Sequence, residues 1–186
     1  MPHLHDVTNS PGRGWGDPVY ARPVTIEPAK YRQVLGHFPT GVTVITGILG
    51  ARPVGFTIGS FASVSLDPPL VGFLPMITSD RWAEIVTTGA FCVNVLAADQ
   101  DELCWQFAKT AVDDPFAGVP WTAAPVTGSP MIDGAIAWMD CTIEGVVDAG
   151  DHHFVMGRIQ DFEHTTNDDP QPLLFYRGKL GEFVQH

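Results

Sequence analysis

Two short stretches carry the residue types that could do chemistry. Ser79-Asp80-Arg81 sets a hydroxyl, a carboxylate and a guanidinium side by side, just ahead of Trp82 and Ile85. Ser79 or Asp80 can cap a helix there and Gly89 can close it. The free N–H groups at a helix start favour an anion. Arg81 adds a cation to a first turn that ordinarily prefers acids. The set reads as a phosphate clamp or as an exposed arginine paired with Glu84. The second stretch is Val54 to Leu70, VGFTIGSFASVSLDPPL. Read with a period of two, Phe56, Ile58, Ser60, Ala62, Val64 and Leu66 form one face, apolar apart from Ser60. Thr57, Gly59, Phe61, Ser63 and Ser65 form the other, mostly small and hydroxylic. Such a face suits a flat polar ligand, and Gly55 and Gly59 remove side chains where a ligand or a second backbone could approach. The same pattern fits a glycine-interrupted edge strand whose serines meet water.

Other candidates are weaker. His152 opens a strand after the turn Asp148-Ala149-Gly150-Asp151, where Asp151 or water would satisfy it. His152 and His153 fall on opposite faces of that strand, so a shared metal is not expected. Asn94 is the polar member of the run Phe91 to Leu96, either a ligand contact or a satisfied buried amide. Cys92, Cys104 and Cys141 are scattered, without a C-x-x-C or other metal spacing, as expected of buried reduced thiols in a cytoplasmic protein. No nucleophile–base pair, G-x-S-x-G or H-E-x-x-H occurs.

Composition limits the function classes. The net charge is −11 with only 10 Lys plus Arg in 186 residues, which argues against nucleic acid and against an anionic membrane surface. The 45% apolar content contains no unbroken apolar run of membrane length. Length predicts one domain with a full core. Residues 1–24 are rich in Pro, Gly, His and Asn, lack the apolar segment of a signal peptide, and read as a flexible N-terminal arm. The domain is expected to span 25–186.

The elements that must position these residues follow in order. Pro28 suits a first helical turn, and Tyr31, Val34, Leu35 and Phe38 keep helical spacing. Pro39-Thr40-Gly41 ends that helix. Val42 to Thr46 is a strand, and Gly47 to Ala51 turn into the central stretch. Asp67-Pro68-Pro69 ends that stretch, since proline donates no N–H. Leu70 to Leu74 is a short buried strand ended by Pro75. A helix over 99–109 carries Leu103 and Phe107 on one face. A long loop over 113–130 holds four prolines and Trp121. Ala135 to Val147 and His152 to Phe162 form a hairpin. Leu173 to Tyr176 is a last core strand before Arg177-Gly178. Many short strands and about three helices predict a mainly β protein, a closed β-barrel with peripheral helices.

Seven segments in order resemble one family: FPTGVTVIT (38–46), GFTIGSFASVSLDPPL (55–70), SDRW (79–82), FCVNVL (91–96), GSPMIDGAIAWMDC (128–141), GDHHFVMG (150–157) and LLFYRG (173–178). The set is similar to the flavin reductases of the FMN-binding split-barrel fold, the reductase components of two-component flavin monooxygenases, over about residues 28–180. The resemblance implies FMN or FAD as cofactor and NADH or NADPH as cosubstrate. It further implies a homodimer and a separate flavin-dependent monooxygenase that receives reduced flavin. Phe56, Thr57, Gly59 and Ser60 would line the ribityl chain and ring, with Gly55 and Phe107 as further contacts. Leu74, Pro75 and Met76 would form a wall, with Ser79, Asp80 and Arg81 at the phosphate. His152 would be the catalytic residue near the nicotinamide, with Tyr176 and Arg177 beside it. Two positions depart from the pattern. Gly59 stands where many members carry Asn, and Ile77 where many carry a lysine, which leaves Arg81 and backbone N–H groups to meet the phosphate. Two rival readings are a flavin-binding module without NAD(P)H turnover and a split-barrel flavin oxidase acting directly on a substrate.

Overall fold

The computed structural model describes residues 25–109, 114–166 and 170–184. The proposed arm, 1–24, lies outside the described residues. The chain divides into two units, one up to Leu35 and one from Gly36 onward. In the first, Pro28–Leu35 forms α1, and none of its residues is buried. The second contains Thr40–Gly41 (β1), Thr43–Leu49 (β2), Arg52–Ile58 (β3), Ala62–Ser65 (β4) and Leu70–Phe73 (β5). Asp80–Val86 (α2), Ala90–Val95 (β6) and Asp101–Ala108 (α3) follow. The remainder is Trp121–Ala123 (β7), Pro130–Ile132 (β8), Ala137–Ala149 (β9), His152–His164 (β10), Leu173–Tyr176 (β11) and Lys179–Glu182 (β12).

Seven strands form one antiparallel sheet in the order β3-β2-β6-β9-β10-β5-β4. Its two edge strands, β3 and β4, are consecutive in the chain. Only Gly59, Ser60 and Phe61 join them. A flat sheet of seven strands would hold its edges roughly 29 Å apart. The four Cα steps from Ile58 to Ala62 reach about 14 Å at most. The sheet therefore curls until its edges nearly meet, which is the split-barrel architecture. Ser60 fastens the seam: its hydroxyl lies 3.3 Å from the Leu74 carbonyl and accepts the Leu74 N–H at 3.0 Å.

The inside of the curl is the main core. Ile45, Phe73, Ile85, Phe91, Val93 and Val155 are fully buried there. Phe73 makes edge contacts with Phe91 and Trp82 at 5.1 and 5.7 Å. Trp82 places its indole N–H on His153 Nδ1 at 2.9 Å. A second core, with Val44, Leu96, Phe107, Phe116 and Ile132, lies under α3 and the small β7–β8 hairpin. Buried polar groups tie that hairpin down. Asn94 donates to the carbonyls of Val44 and Pro130 and to Thr46 Oγ1, and accepts the Ile132 N–H at 2.7 Å. It is a satisfied buried amide, and the ligand-contact alternative falls away. The buried Asp140 carboxylate accepts the N–H groups of Val126 and Thr127 and the Thr127 hydroxyl.

Several expectations need correcting. The stretch 54–66 is two strands at opposite edges of the sheet order. Its apolar phase is not a continuous back, for Val64 and Leu66 are 41% and 92% exposed. Gly47 lies inside β2, not in a turn. A Cβ there would sit 3.1 Å from Ile85, and the turn is Gly50-Ala51. The 113–130 loop contains β7. Its Phe116 faces inward, buried against Phe107 of α3 at 4.9 Å edge-to-face. The strand expected to be the last, β11, is followed by β12 and joins not the main sheet but a separate one in the order β1-β11-β12.

Gly157 of β10 tests the core packing. A Cβ there would run into the ring of the fully buried Phe91 and stand 3.3 Å from Cys141 Cβ. Gly157→Ala should therefore cost about 1–3 kcal/mol by overpacking. Its urea midpoint should fall without a change in slope. Gly41→Ala, with nothing within 4 Å of its Cβ, supplies the baseline.

Candidate functional site

The seam opens into a cavity of about 530 Å³, within the roughly 300–1,000 Å³ usual for small-molecule sites. Four elements meet around it. The end of β3 contributes Phe56, Thr57, Ile58 and Gly59. The segment after β5 contributes Leu74, Pro75 and Met76. The start of α2 brings Thr78, Ser79, Asp80 and Arg81, while α3 brings Cys104, Trp105, Phe107 and Ala108. Val42, His152 and Phe175 complete the lining. The walls are largely apolar and one end is hydroxylic and charged. A planar ring system with a polar tail fits such a site, and a flavin has that form. The donor set holds no metal cluster among the described residues.

Local chemistry explains each placement. Proline after β5 stops the ladder at Phe73, so Leu74 to Ile77 leave the sheet beside the seam. That segment is pinned to the β9–β10 turn. Ile77 N–H donates to the Asp151 carbonyl at 3.1 Å, His153 N–H donates to the Pro75 carbonyl at 3.0 Å, and Met76 pairs with His152. His152 is thereby carried to the rim. Its Nδ1 lies 2.7 Å from the Asp151 carboxylate, whose pKa is held below the ordinary value chiefly by that hydrogen bond. Both the bland reading of His152, a partner of Asp151, and its place at the site are seen together.

The cluster at the start of α2 is more committed than its spacing suggests. Ser79 is the N-cap, accepting the Trp82 N–H at 3.3 Å. Glu84 pairs with Arg52 at 2.7 Å, not with Arg81. Arg81 donates to three main-chain carbonyls, those of Gly55, Phe107 and Lys109. Burial lowers its pKa, and the nearby Glu84 charge opposes that.

Of the expected residues, Phe56, Thr57, Gly59, Leu74, Pro75, Met76, Ser79, Asp80, Arg81, Phe107 and His152 converge on the cavity. Gly55 and Ser60 do not line it. Gly55 lies under the Phe107 ring and Ser60 holds the seam. Tyr176 and Arg177 lie instead in a separate surface groove with Leu174 and Lys179. Arg177 and Gly178, at φ 50° and 78°, make the tight turn from β11 to β12, and the neighbouring Phe175 is the residue that reaches the cavity. Sequence reasoning missed Val42, Ile58, Thr78, Cys104, Trp105, Ala108 and Phe175. Helical spacing from Phe107 back to Cys104 was the available signal for α3.

Curled sheet, seam and half-apolar cleft together define a split-barrel cofactor protein. Residues 35–183 match the model of the flavin reductase like domain. The reductase subunit HsaB of a Rhodococcus jostii flavin-dependent monooxygenase is 48% identical over 154 residues, 83% of this chain and 77% of that one. A solved nitrilotriacetate monooxygenase component B homolog from Mycobacterium thermoresistibile is 44% identical, with a TM-score of 0.81 over 84% of this chain and 86% of its own. A Streptomyces globisporus NADH:FAD oxidoreductase, solved with NAD and FAD fragments, is 35% identical, with a TM-score of 0.78 over 84% and 92% of the two chains. The chain belongs to the flavin reductase family.

Cys104 reports on the cavity. Burial raises its thiol pKa, and a hydrogen bond from Thr57 offsets part of that. A raised pKa leaves less thiolate at pH 8, so alkylation by iodoacetamide should be slower than for a free thiol and should accelerate as pH rises. Added FMN should slow labelling of Cys104 further and leave Cys92 and Cys141 unchanged, as read by peptide mass spectrometry.

Proposed function

We infer that this chain is an NAD(P)H:flavin oxidoreductase that supplies reduced FMN or FAD to a separate flavin-dependent monooxygenase. The observation that carries this reading is the cleft at the seam, in a chain that matches the family from residue 35 to 183. When bound, the flavin supplies the hydride acceptor and the nicotinamide the hydride donor. The protein's part is positional. Phe56 to Gly59 give the ring a floor with little side chain in the way, Leu74 to Met76 a wall, and α3 the facing surface. Apolar walls exclude water from the approach of two planar rings. His152, held by Asp151, is the polar group at the rim placed to meet the nicotinamide. Ser79 and Thr78 offer hydroxyls at the charged end.

A homodimer is supported by one outer sheet face. Val155 and Val71 point inward and are buried, so Phe154 and Met156 point outward. Beside them Val147 is 54% and Val64 41% exposed, and Gly72 and Gly145 keep the surface flat. An apolar face of this kind suits a two-fold contact. Among the described residues no helix is long and apolar enough to cross a membrane. All three cysteines are free, which supports a reducing compartment such as the cytoplasm.

Purified protein should oxidise NADH or NADPH with excess FMN or FAD, over many equivalents per chain. Oxidation no faster than with flavin alone would leave a binding module. His152→Ala should raise the KM for the nicotinamide more than the KM for flavin. Light scattering should give twice the chain mass, and a monomer mass would remove the dimer.

A further inference from the structure

Arg81 stands where a cation could serve a ligand, yet its guanidinium is turned to the protein. Nη1 donates to the Gly55 carbonyl at 3.2 Å and to the Phe107 carbonyl at 2.9 Å, and Nη2 to the Lys109 carbonyl at 2.9 Å. Gly55 belongs to β3. Phe107 and Lys109 end α3, where carbonyls lack intrahelical donors and carry partial negative charge. One fork thus joins the two elements that supply much of the cavity lining. The contact beneath it is tight. A Cβ on Gly55 would stand 2.9 Å from Phe107 Cε1 and 3.1 Å from the Ile45 carbonyl, so α3 rests on bare β3 backbone. About one turn earlier, the Thr57 hydroxyl donates to the Cys104 carbonyl at 2.7 Å.

We propose that Arg81 is a positioning residue: it sets the separation of β3 and α3, and so the fit of the flavin ring between them, and it is not the countercharge of the flavin phosphate. This rests on the flavin reductase reading. Lysine cannot replace the fork, because a single ammonium on a flexible stem cannot span carbonyls on two elements in fixed geometry. A phosphate countercharge, by contrast, would be largely kept by lysine and would be indifferent to riboflavin, which has no phosphate.

The test compares wild type, Arg81→Ala and Arg81→Lys, with dissociation constants for riboflavin, FMN and FAD from fluorescence quenching. Losing charge-assisted hydrogen bonds should weaken all three flavins in Arg81→Ala by a common factor of about ten or more. Arg81→Lys should fall with it, and the FMN-to-riboflavin ratio should stay near that of wild type. Flavin KM should rise in the same proportion, which a mere loss of global stability in a still-folded protein would not produce. Without any flavin, hydrogen exchange at the amides of 105–109 should be faster in both variants. Gly55→Ala, which presses on Phe107 from the other side, should also weaken the three flavins together. Loss of FMN with riboflavin intact, restored by Arg81→Lys, would overturn the proposal and make Arg81 a phosphate ligand. Unchanged flavin affinities in both variants would overturn it as well. If Arg81→Ala fails to fold, wild-type-like affinities in Arg81→Lys are sufficient to overturn it. If wild type binds no flavin, the functional reading falls, while the exchange measurement still decides whether the fork holds α3.

Discussion

The three-residue link between β3 and β4 is the constraint on which the rest of the structure depends. It makes the two edge strands of a seven-stranded sheet chain neighbours, and no flat sheet can satisfy it. Curling encloses Phe73, Phe91 and Val155 and at the same time leaves a seam. The Ser60–Leu74 pair of contacts closes one part of that seam. Next to it, where Gly59 offers no side chain and Pro75 has ended its strand, the seam stays open as the cavity. The site is thus a by-product of closure, built from strand ends that the fold brings together, which is where backbone can approach a ligand closely.

Buried polar and thiol groups away from the cavity serve structure. Asn94, Thr46 and Asp140 spend their hydrogen-bonding capacity on main chain of the β7–β8 region, and that region covers α3 through Phe116 and Phe107. Leaving any of these groups unpaired in the interior would cost more than the bond itself contributes. Burial drives the Cys141 thiol up to about 12 and Cys92 higher still, so neither presents a thiolate near neutral pH. Neither thiol lines the cavity, whose chemistry belongs to the flavin and the nicotinamide.

Much of this was legible in the sequence, and the failures have physical causes. Strand and helix positions followed from periodicity and from Pro and Gly stops, and the 79–81, 74–76 and 56–59 segments do converge. Period-two alternation, however, continues through a link as easily as through a strand. It carried the reading across Gly59-Ser60-Phe61, so the exposed Val64 and Leu66 were placed on one continuous apolar face. Tyr176 and Arg177 lie away from the cavity for a related reason. Successive strand residues face opposite sides, and the positive-φ turn at 177–178 places them in the outer groove while Phe175 points inward. The direction of the Arg81 guanidinium was not legible, because it donates to carbonyls, which every residue carries and no sequence pattern marks.

Electrostatics gives the commitment of Arg81 a further meaning. The chain carries −11 overall, so a phosphate dianion approaches against a repulsive field. A guanidinium aimed at the solvent would offset that locally. Here it is bound to the α3 terminus and β3, and Ile77 beside the cavity is apolar. On the proposal that Arg81 positions α3, flavin affinity rests mainly on the apolar walls, a contribution that scales with buried ring area. With Arg81 acting as proposed, the hydroxyls of Thr78 and Ser79 are left to meet the phosphate, and differences in affinity reside mostly in the dissociation rate. For a reductase whose reduced flavin must leave to reach an oxygenase, the proposed grip on the ring rather than on the phosphate favours turnover over retention.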